Sequence, residues 1–134
     1  MSVNHEAKLV EKITNLMTKD SFNDVRIRMS NGVQVEANKV ILAAMSDFFN
    51  EKLQENVTKD QFLEIDLEIS STKEMLELVM KYLYTGKMDF EALSLKDLLD
   101  IMNLLKFLDL EVFSEVEEFT KKKESLNSSY LFLE

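Results

Sequence analysis

Three patterns predict an α+β fold with five or six helices clustered around a short three-stranded sheet. Between Asp24 and Phe49 the hydrophobic period changes twice, from the alternation of a strand pair to helical spacing, and then across a capping residue into a second helix. A third alternating run follows at Phe62 to Ile69. The remaining apolar residues recur at spacings of three and four in long stretches before and after these blocks.

From Glu6 to Thr18 the residues Leu9, Val10, Ile13, Leu16 and Met17 form one apolar stripe on a first helix. That stripe has two destinations, its own domain or a second copy of the chain, and periodicity leaves both open. Val25, Ile27 and Met29 then alternate with Arg26 and Arg28, giving a strand with one apolar and one charged face. Asn31-Gly32 supplies the φ > 0 residues of a tight turn, and Val33, Gln34 and Val35 return as the partner strand. Asn38 is placed to cap a helix over Lys39 to Ala44, whose Ile41-Leu42-Ala43-Ala44 run is apolar all round and predicts full burial. Ser46 caps a second short helix, Asp47 to Gln54, which opens with Phe48-Phe49.

Val57-Thr58-Lys59-Asp60 reads as a surface loop. In the third strand Phe62, Glu64, Asp66 and Glu68 alternate with Leu63, Ile65, Leu67 and Ile69, so its outer face is acidic. Ser71-Thr72-Lys73-Glu74 has capping-box spacing ahead of a helix carrying Met75, Leu76, Leu78, Val79, Leu83 and Tyr84, which Gly86 stops. Ser94-Leu95-Lys96-Asp97 is a second cap, leading into the dense apolar run from Leu98 to Leu108. A helix from Glu111 to about Lys123 turns Val112, Phe113, Val116 and Phe119 inward and Glu111, Glu115, Glu117 and Glu118 outward. After it a new helical signal begins, with Asn127 or Ser128 as cap and Tyr130, Leu131, Phe132 and Leu133 behind it. So short a helix cannot bury itself. No internal repeat or low-complexity linker interrupts the order.

A chain of 134 residues with 46% hydrophobic and 31% charged residues is the size and composition of one globular domain. The net charge of −9 repels phosphate backbones, so direct nucleic-acid binding is not expected. Lys121-Lys122-Lys123 is too short to reverse that and reads as a solvated helix end complementing the dipole. With no Cys and a single His, disulfides, thiolate metal sites, a cysteine nucleophile and a His-rich metal site are excluded. No apolar run approaches the roughly 20 residues of a membrane span, and the first residues lack the pattern of a signal peptide. The expected location is intracellular, cytoplasmic and/or nuclear, without membrane partners.

Catalytic chemistry has little support. His5, near the end of the first helix, has Glu6 beside it but not on its face, and no Ser stands in a nucleophile-elbow context. Asp66 and Glu68 share one side of a strand without calcium-loop spacing, so a solvated face is the expectation. Met75, Met80 and Met102 lie within apolar runs and read as core filling. Neither an enzyme nor a cofactor is expected, and surface recognition remains.

The central run Ala37-Asn38-Lys39-Val40-Ile41-Leu42-Ala43-Ala44-Met45-Ser46-Asp47-Phe48-Phe49 resembles the BTB (POZ) domain. Asp24 opens the first strand as that family's Asp does, and Lys81-Tyr82-Leu83-Tyr84-Thr85-Gly86 matches its late Y-x-Y-T-G segment. The spacing can be followed from roughly His5 to Lys123, which makes residues 1–123 a BTB/POZ domain by resemblance. Residues 124–134 resemble the start of the BACK or three-box extension of Kelch-like adaptors, and imply a fragment or truncated form of a longer adaptor.

The resemblance implies a homodimer with Leu9, Val10, Ile13, Leu16 and Met17 at its interface. It also implies a substrate adaptor of a cullin-3 ubiquitin ligase that carries an unknown protein substrate. The cullin contact would be made by Asp47, Phe48, Lys52, Val57 and Lys59. Lys59 stands where the family's hydrophobic-x-Glu motif has its Glu, and that charge reversal acts against the contact. Asn38 replaces the family's usual His and keeps the capping role, while making co-repressor binding in the groove beside Asp24 less expected. The alternatives are the dimerisation domain of a transcriptional regulator and a stand-alone dimer that competes with full-length adaptors.

Overall fold

The computed structural model describes residues 2–17, 19–55 and 62–133, with the side chains of residues 17, 20 and 127–133 left out. Its elements are α1 (Glu6–Met17), a single 3-10 turn (Asp20–Phe22), β1 (Val25–Met29), β2 (Gln34–Ala37), α2 (Lys39–Met45), α3 (Asp47–Glu55), β3 (Leu63–Leu67), α4 (Lys73–Thr85), α5 (Leu95–Phe107) and α6 (Phe113–Leu133). The fold is the α+β arrangement read from the sequence, six helices with a three-stranded sheet of order β2-β1-β3.

β1 is the central strand. It pairs antiparallel with β2, Ile27 opposite Val35, and parallel with β3, Ile27 opposite Ile65. The parallel pairing requires a crossover, which α2 and α3 provide. The registers put Val25, Ile27, Met29, Ile65 and Leu67 on one buried face. The other face carries an ion-pair ladder in which the Arg26 guanidinium meets Glu36 at 3.0 Å and Glu64 at 2.7 Å, and Arg28 meets Glu64 at 3.0 Å. Phe62 breaks the alternation because its ring lies under Arg26, 5.2 Å from the guanidinium carbon.

The hairpin differs from the tight turn expected. Gly32 has φ 88°, but Asn31 is not among the residues of positive φ. Gly32 N–H donates to the Met29 carbonyl at 3.0 Å and Met29 N–H to the Val33 carbonyl at 2.7 Å, so the loop has three residues and closes on a glycine bulge. Asn31 is used outward, donating from Nδ2 to the Ser71 carbonyl at 2.9 Å.

The core joins the inner face of the sheet to Met75, Leu76, Val79, Met80 and Leu83 of α4, to Leu98, Ile101, Leu104 and Leu105 of α5, and to Val112 and Val116. Met75 and Met80 are buried as predicted, and Met102 is partly buried against the core. Ser94 Oγ caps α5 through Asp97 N–H at 3.2 Å. Gly86, at φ 74°, ends α4 with its N–H on the Tyr82 carbonyl.

Four expectations need correction. α4 is capped by Thr72, whose hydroxyl accepts from Met75 N–H, and the Ser71 hydroxyl donates instead to the Thr72 carbonyl. In α2 only Leu42 is buried, and Val40 is 66% exposed, because one side of this seven-residue helix has no neighbour. The separate terminal helix capped at Asn127 or Ser128 is absent, since α6 runs unbroken to Leu133. With no Pro in the chain and no Gly beyond Gly86, nothing in that segment forces a stop. Lys121 and Lys122 consequently lie within a helix rather than at its end, pairing one turn back with Glu117 at 3.6 Å and Glu118 at 3.5 Å. Lys123 reaches the Leu93 carbonyl at 2.8 Å.

Candidate functional site

The junction of β1, α2 and α4 is built from residues the sequence had singled out. Asn38 Oδ1 accepts from Val40 N–H at 2.9 Å and Ile41 N–H at 3.2 Å, while its Nδ2 donates to the Phe22 carbonyl at 3.0 Å. Its own backbone N–H donates to the Tyr84 hydroxyl oxygen at 2.8 Å, and Asp24 Oδ1 accepts from Lys39 N–H at 2.8 Å. Asp24, Asn38 and Tyr84 thus hold the start of α2 against the sheet and α4. Burial pushes the Tyr84 phenol above its ordinary value, the Asn38 bond opposes this, and nearby Asp24 adds to it. These bonds give the cluster a structural role, tying the start of α2 to the 3-10 turn and to α4.

α1 lies at one side of that junction. Asn4 Oδ1 accepts from Glu6 N–H at its start. Its stripe is turned to solvent, with Leu9 59%, Val10 58%, Ile13 42% and Leu16 46% exposed. The Met17 side chain lies outside the described residues. Val10 and Thr14 line a cavity of about 570 Å³ whose opposite wall includes Leu78 and Tyr84. Val40, in the first turn of α2, and Phe22, in the 3-10 turn whose carbonyl meets Asn38, are further exposed apolar side chains.

A second patch is aromatic. Ser46, buried, accepts from Phe49 N–H and fixes the entry to α3, so that Phe49 enters the core and Phe48 stays half-buried at the rim. Lys52 Nζ lies 5.9 Å from the centre of the Phe48 ring, and Asp47 is exposed in the first turn. Phe107 of α5 packs on Phe48 at 5.6 Å between ring centres and is itself part-exposed, with Leu99 exposed two turns earlier. Phe107 was missed because the dense apolar run of α5 reads as core from end to end. Its spacing of eight from Leu99 is the signal that could have separated it. Val57, Thr58 and Lys59 lie outside the described residues.

The residues weighed for chemistry are not assembled into a centre. His5 and Glu68 are exposed, and Asp66 lies 3.8 Å from Arg28. Among the described residues no three His, Cys, Asp or Glu side chains are grouped to hold a metal ion, and no helix is long and apolar enough to cross a membrane.

The exposed apolar and aromatic faces of α1, α3 and α5 are of the kind that mark protein-interaction surfaces. The sequence profile of the BTB/POZ domain matches residues 13–124, and the chain belongs to that family of interaction domains. It is 26% identical over 107 residues to human Kelch-like protein 7, a match covering 77% of this chain and 18% of that protein's length. Among solved structures it is similar to the BTB domain of human gigaxonin, with TM-score 0.62 and 18% identity over 91% of this chain and 95% of that one. It is also similar to the BTB domain of zebrafish PATZ1, with TM-score 0.64 and 18% identity over 94% and 98% of the two chains.

Proposed function

We propose that this chain is a homodimerising module that serves as a substrate-adaptor component of a cullin-3 ubiquitin ligase inside the cell. In this reading a second copy is met through α1, and the cullin through α3 with the residues that follow it. The observation that carries the dimer is the exposure of Leu9, Val10, Ile13 and Leu16 along the 12 residues of α1. Each such side chain contributes roughly 1.5–3 kcal/mol when fully buried, and a two-fold pairing buries both copies of the stripe. Met17 belongs to the same stripe by its position.

The cullin reading is supported by the Kelch-like resemblance and by the patch of Phe48, Lys52 and Asp47. Val57 and Lys59 complete the proposed contact, with the Lys59 charge working against it. Residues 124–134 would begin the helical extension of such adaptors, and those up to Leu133 lie on the same helix as the end of the domain. The protein substrate would be bound elsewhere.

Two measurements test this. Sedimentation should give about twice the chain mass, and Leu9→Asp with Ile13→Asp should reduce it to one; a parent chain that sediments as a monomer overturns the dimer. Purified cullin-3 is the second probe. Binding by the chain, or by Lys59→Glu alone, supports the α3 contact, whereas a folded dimer that binds in neither form redirects the function to a transcriptional regulator or a free-standing competitor of full-length adaptors.

A further inference from the structure

The hairpin tip carries a chemistry that neither interaction face uses. Asn31 is followed by Gly32, both are exposed, and a Cβ at Gly32 would meet nothing within 4 Å. In an unconstrained chain this dipeptide deamidates readily, because glycine puts no side chain in the way when its amide nitrogen attacks the preceding side-chain carbonyl carbon. Here both reacting groups are engaged elsewhere. Gly32 N–H donates to the Met29 carbonyl at 3.0 Å, and Asn31 Nδ2 donates to the Ser71 carbonyl at 2.9 Å. Two further contacts pin the same junction, Ser30 N–H to the Ile69 carbonyl at 3.0 Å and Ser30 Oγ with Ser70 Oγ at 2.9 Å.

We infer that Asn31 is a masked deamidation site, and that its conversion is gated by opening of the contact between the hairpin tip and the segment 69–72. In the open state the Gly32 nitrogen forms a bond to Asn31 Cγ, and the side-chain amide leaves as ammonia with the Gly32 proton, giving a cyclic imide. Water then adds to one of its two carbonyls, and the ring opens to aspartate or, with the backbone rerouted through the side chain, to isoaspartate. Water is the only co-reactant, and no electrons are exchanged.

The product cannot restore the mask. A carboxylate in place of Nδ2 sets an acceptor against the Ser71 carbonyl, and each event adds one negative charge to a chain already at −9. Isoaspartate also inserts a backbone atom into the three-residue loop and disrupts the Gly32 to Met29 bond. The modification is therefore one-way, trapping the opened tip and loosening the segment that leads into the Thr72 cap of α4.

The test is to age the purified chain at mildly alkaline pH and follow aspartate and isoaspartate at position 31 by peptide-mapping mass spectrometry. The same chain unfolded in urea and the variant Ser70→Ala are followed in parallel. The native chain should convert at least about tenfold more slowly than the unfolded one, since reaction requires local opening. Folded Ser70→Ala should convert about two- to tenfold faster than the parent, the population change set by one lost hydrogen bond. Equal rates in native and unfolded chains, or a folded Ser70→Ala at the parent's rate, would overturn the inference. If Ser70→Ala does not fold, Ser30→Ala removes the other half of the same pair and is read in its place.

Discussion

Asn38→Ala is the substitution whose cost can be worked most directly from the structure. Asn38 is 6% exposed and its side chain makes three bonds, accepting from Val40 and Ile41 N–H and donating to the Phe22 carbonyl. Loss of the cap costs about 1 kcal/mol, up to about 2 in a protein context. Leaving the Phe22 carbonyl without its donor costs about 1 kcal/mol more. The expected total is about 2–3 kcal/mol, read as a lowered urea midpoint at unchanged slope and fixed protein concentration. Asn38→Asp separates the two contributions. It keeps the acceptor for α2, adds a favourable charge at a helix start, and turns the donor facing Phe22 into an acceptor, so it should lose less than Asn38→Ala. A loss below about 0.5 kcal/mol for Asn38→Ala, or an Asp variant worse than the Ala variant, would refute the cap as the origin of the stability.

Two further outcomes follow from single residues. Asp109, at φ 52°, is the described non-glycine residue in the left-handed region, where α5 ends with Leu110 N–H on the Leu105 carbonyl. Asp109→Gly should therefore raise stability by about 0.5–1 kcal/mol in the same urea assay, less any gain in unfolded-chain entropy, and a loss would show that the aspartate has a compensating contact. The phenols of Tyr84 and Tyr82 are both raised, chiefly by burial, with Glu111 and Glu115 adding to the effect at Tyr82. A raised folded value means the stability they confer is complete below the ordinary tyrosine value of 10.0 and is lost as pH rises through the folded values. Urea midpoints should accordingly fall on the alkaline side of that value, and a midpoint that stays level there would contradict the partial burial of both rings.

The elements were legible wherever the signal was local. Alternation in β1 and β3, the caps at Asn38, Ser46 and Ser94, and the stop at Gly86 each depend on residues within a turn of one another, and each stands where the sequence put it. What was not legible depends on partners distant in the chain. Asn31 sits beside a glycine and reads as a turn residue, yet its side chain answers to Ser71, forty positions away, and the turn takes its positive φ from Gly32 alone. Ser71 and Thr72 both qualify as caps, and Thr72 takes the role by accepting from Met75 N–H while the Ser71 hydroxyl donates to the Thr72 carbonyl. The run Ile41 to Ala44 is apolar all round, but composition cannot tell how many neighbours a seven-residue helix will have. Phe107 was hidden for the opposite reason, since a helix dense in Leu conceals which of its faces is left over.

Helix α1 is where these considerations converge. A helix of 12 residues is marginal on its own in water, and most helical stability in proteins comes from packing an apolar face. The Asn4 cap and the back-bond from Thr14 Oγ1 to the Val10 carbonyl are local and small. The four large side chains of the stripe each keep two fifths or more of their surface exposed, so the domain's own core supplies little of the packing that the helix needs. The periodicity nevertheless runs through the helix without a polar interruption on that face. Among the described residues of one copy this face, patterned for burial, is left exposed. In the two-fold reading proposed above a second copy would cover it, and α1 should then be the element whose amide protection falls first on dilution, ahead of α4 and α5.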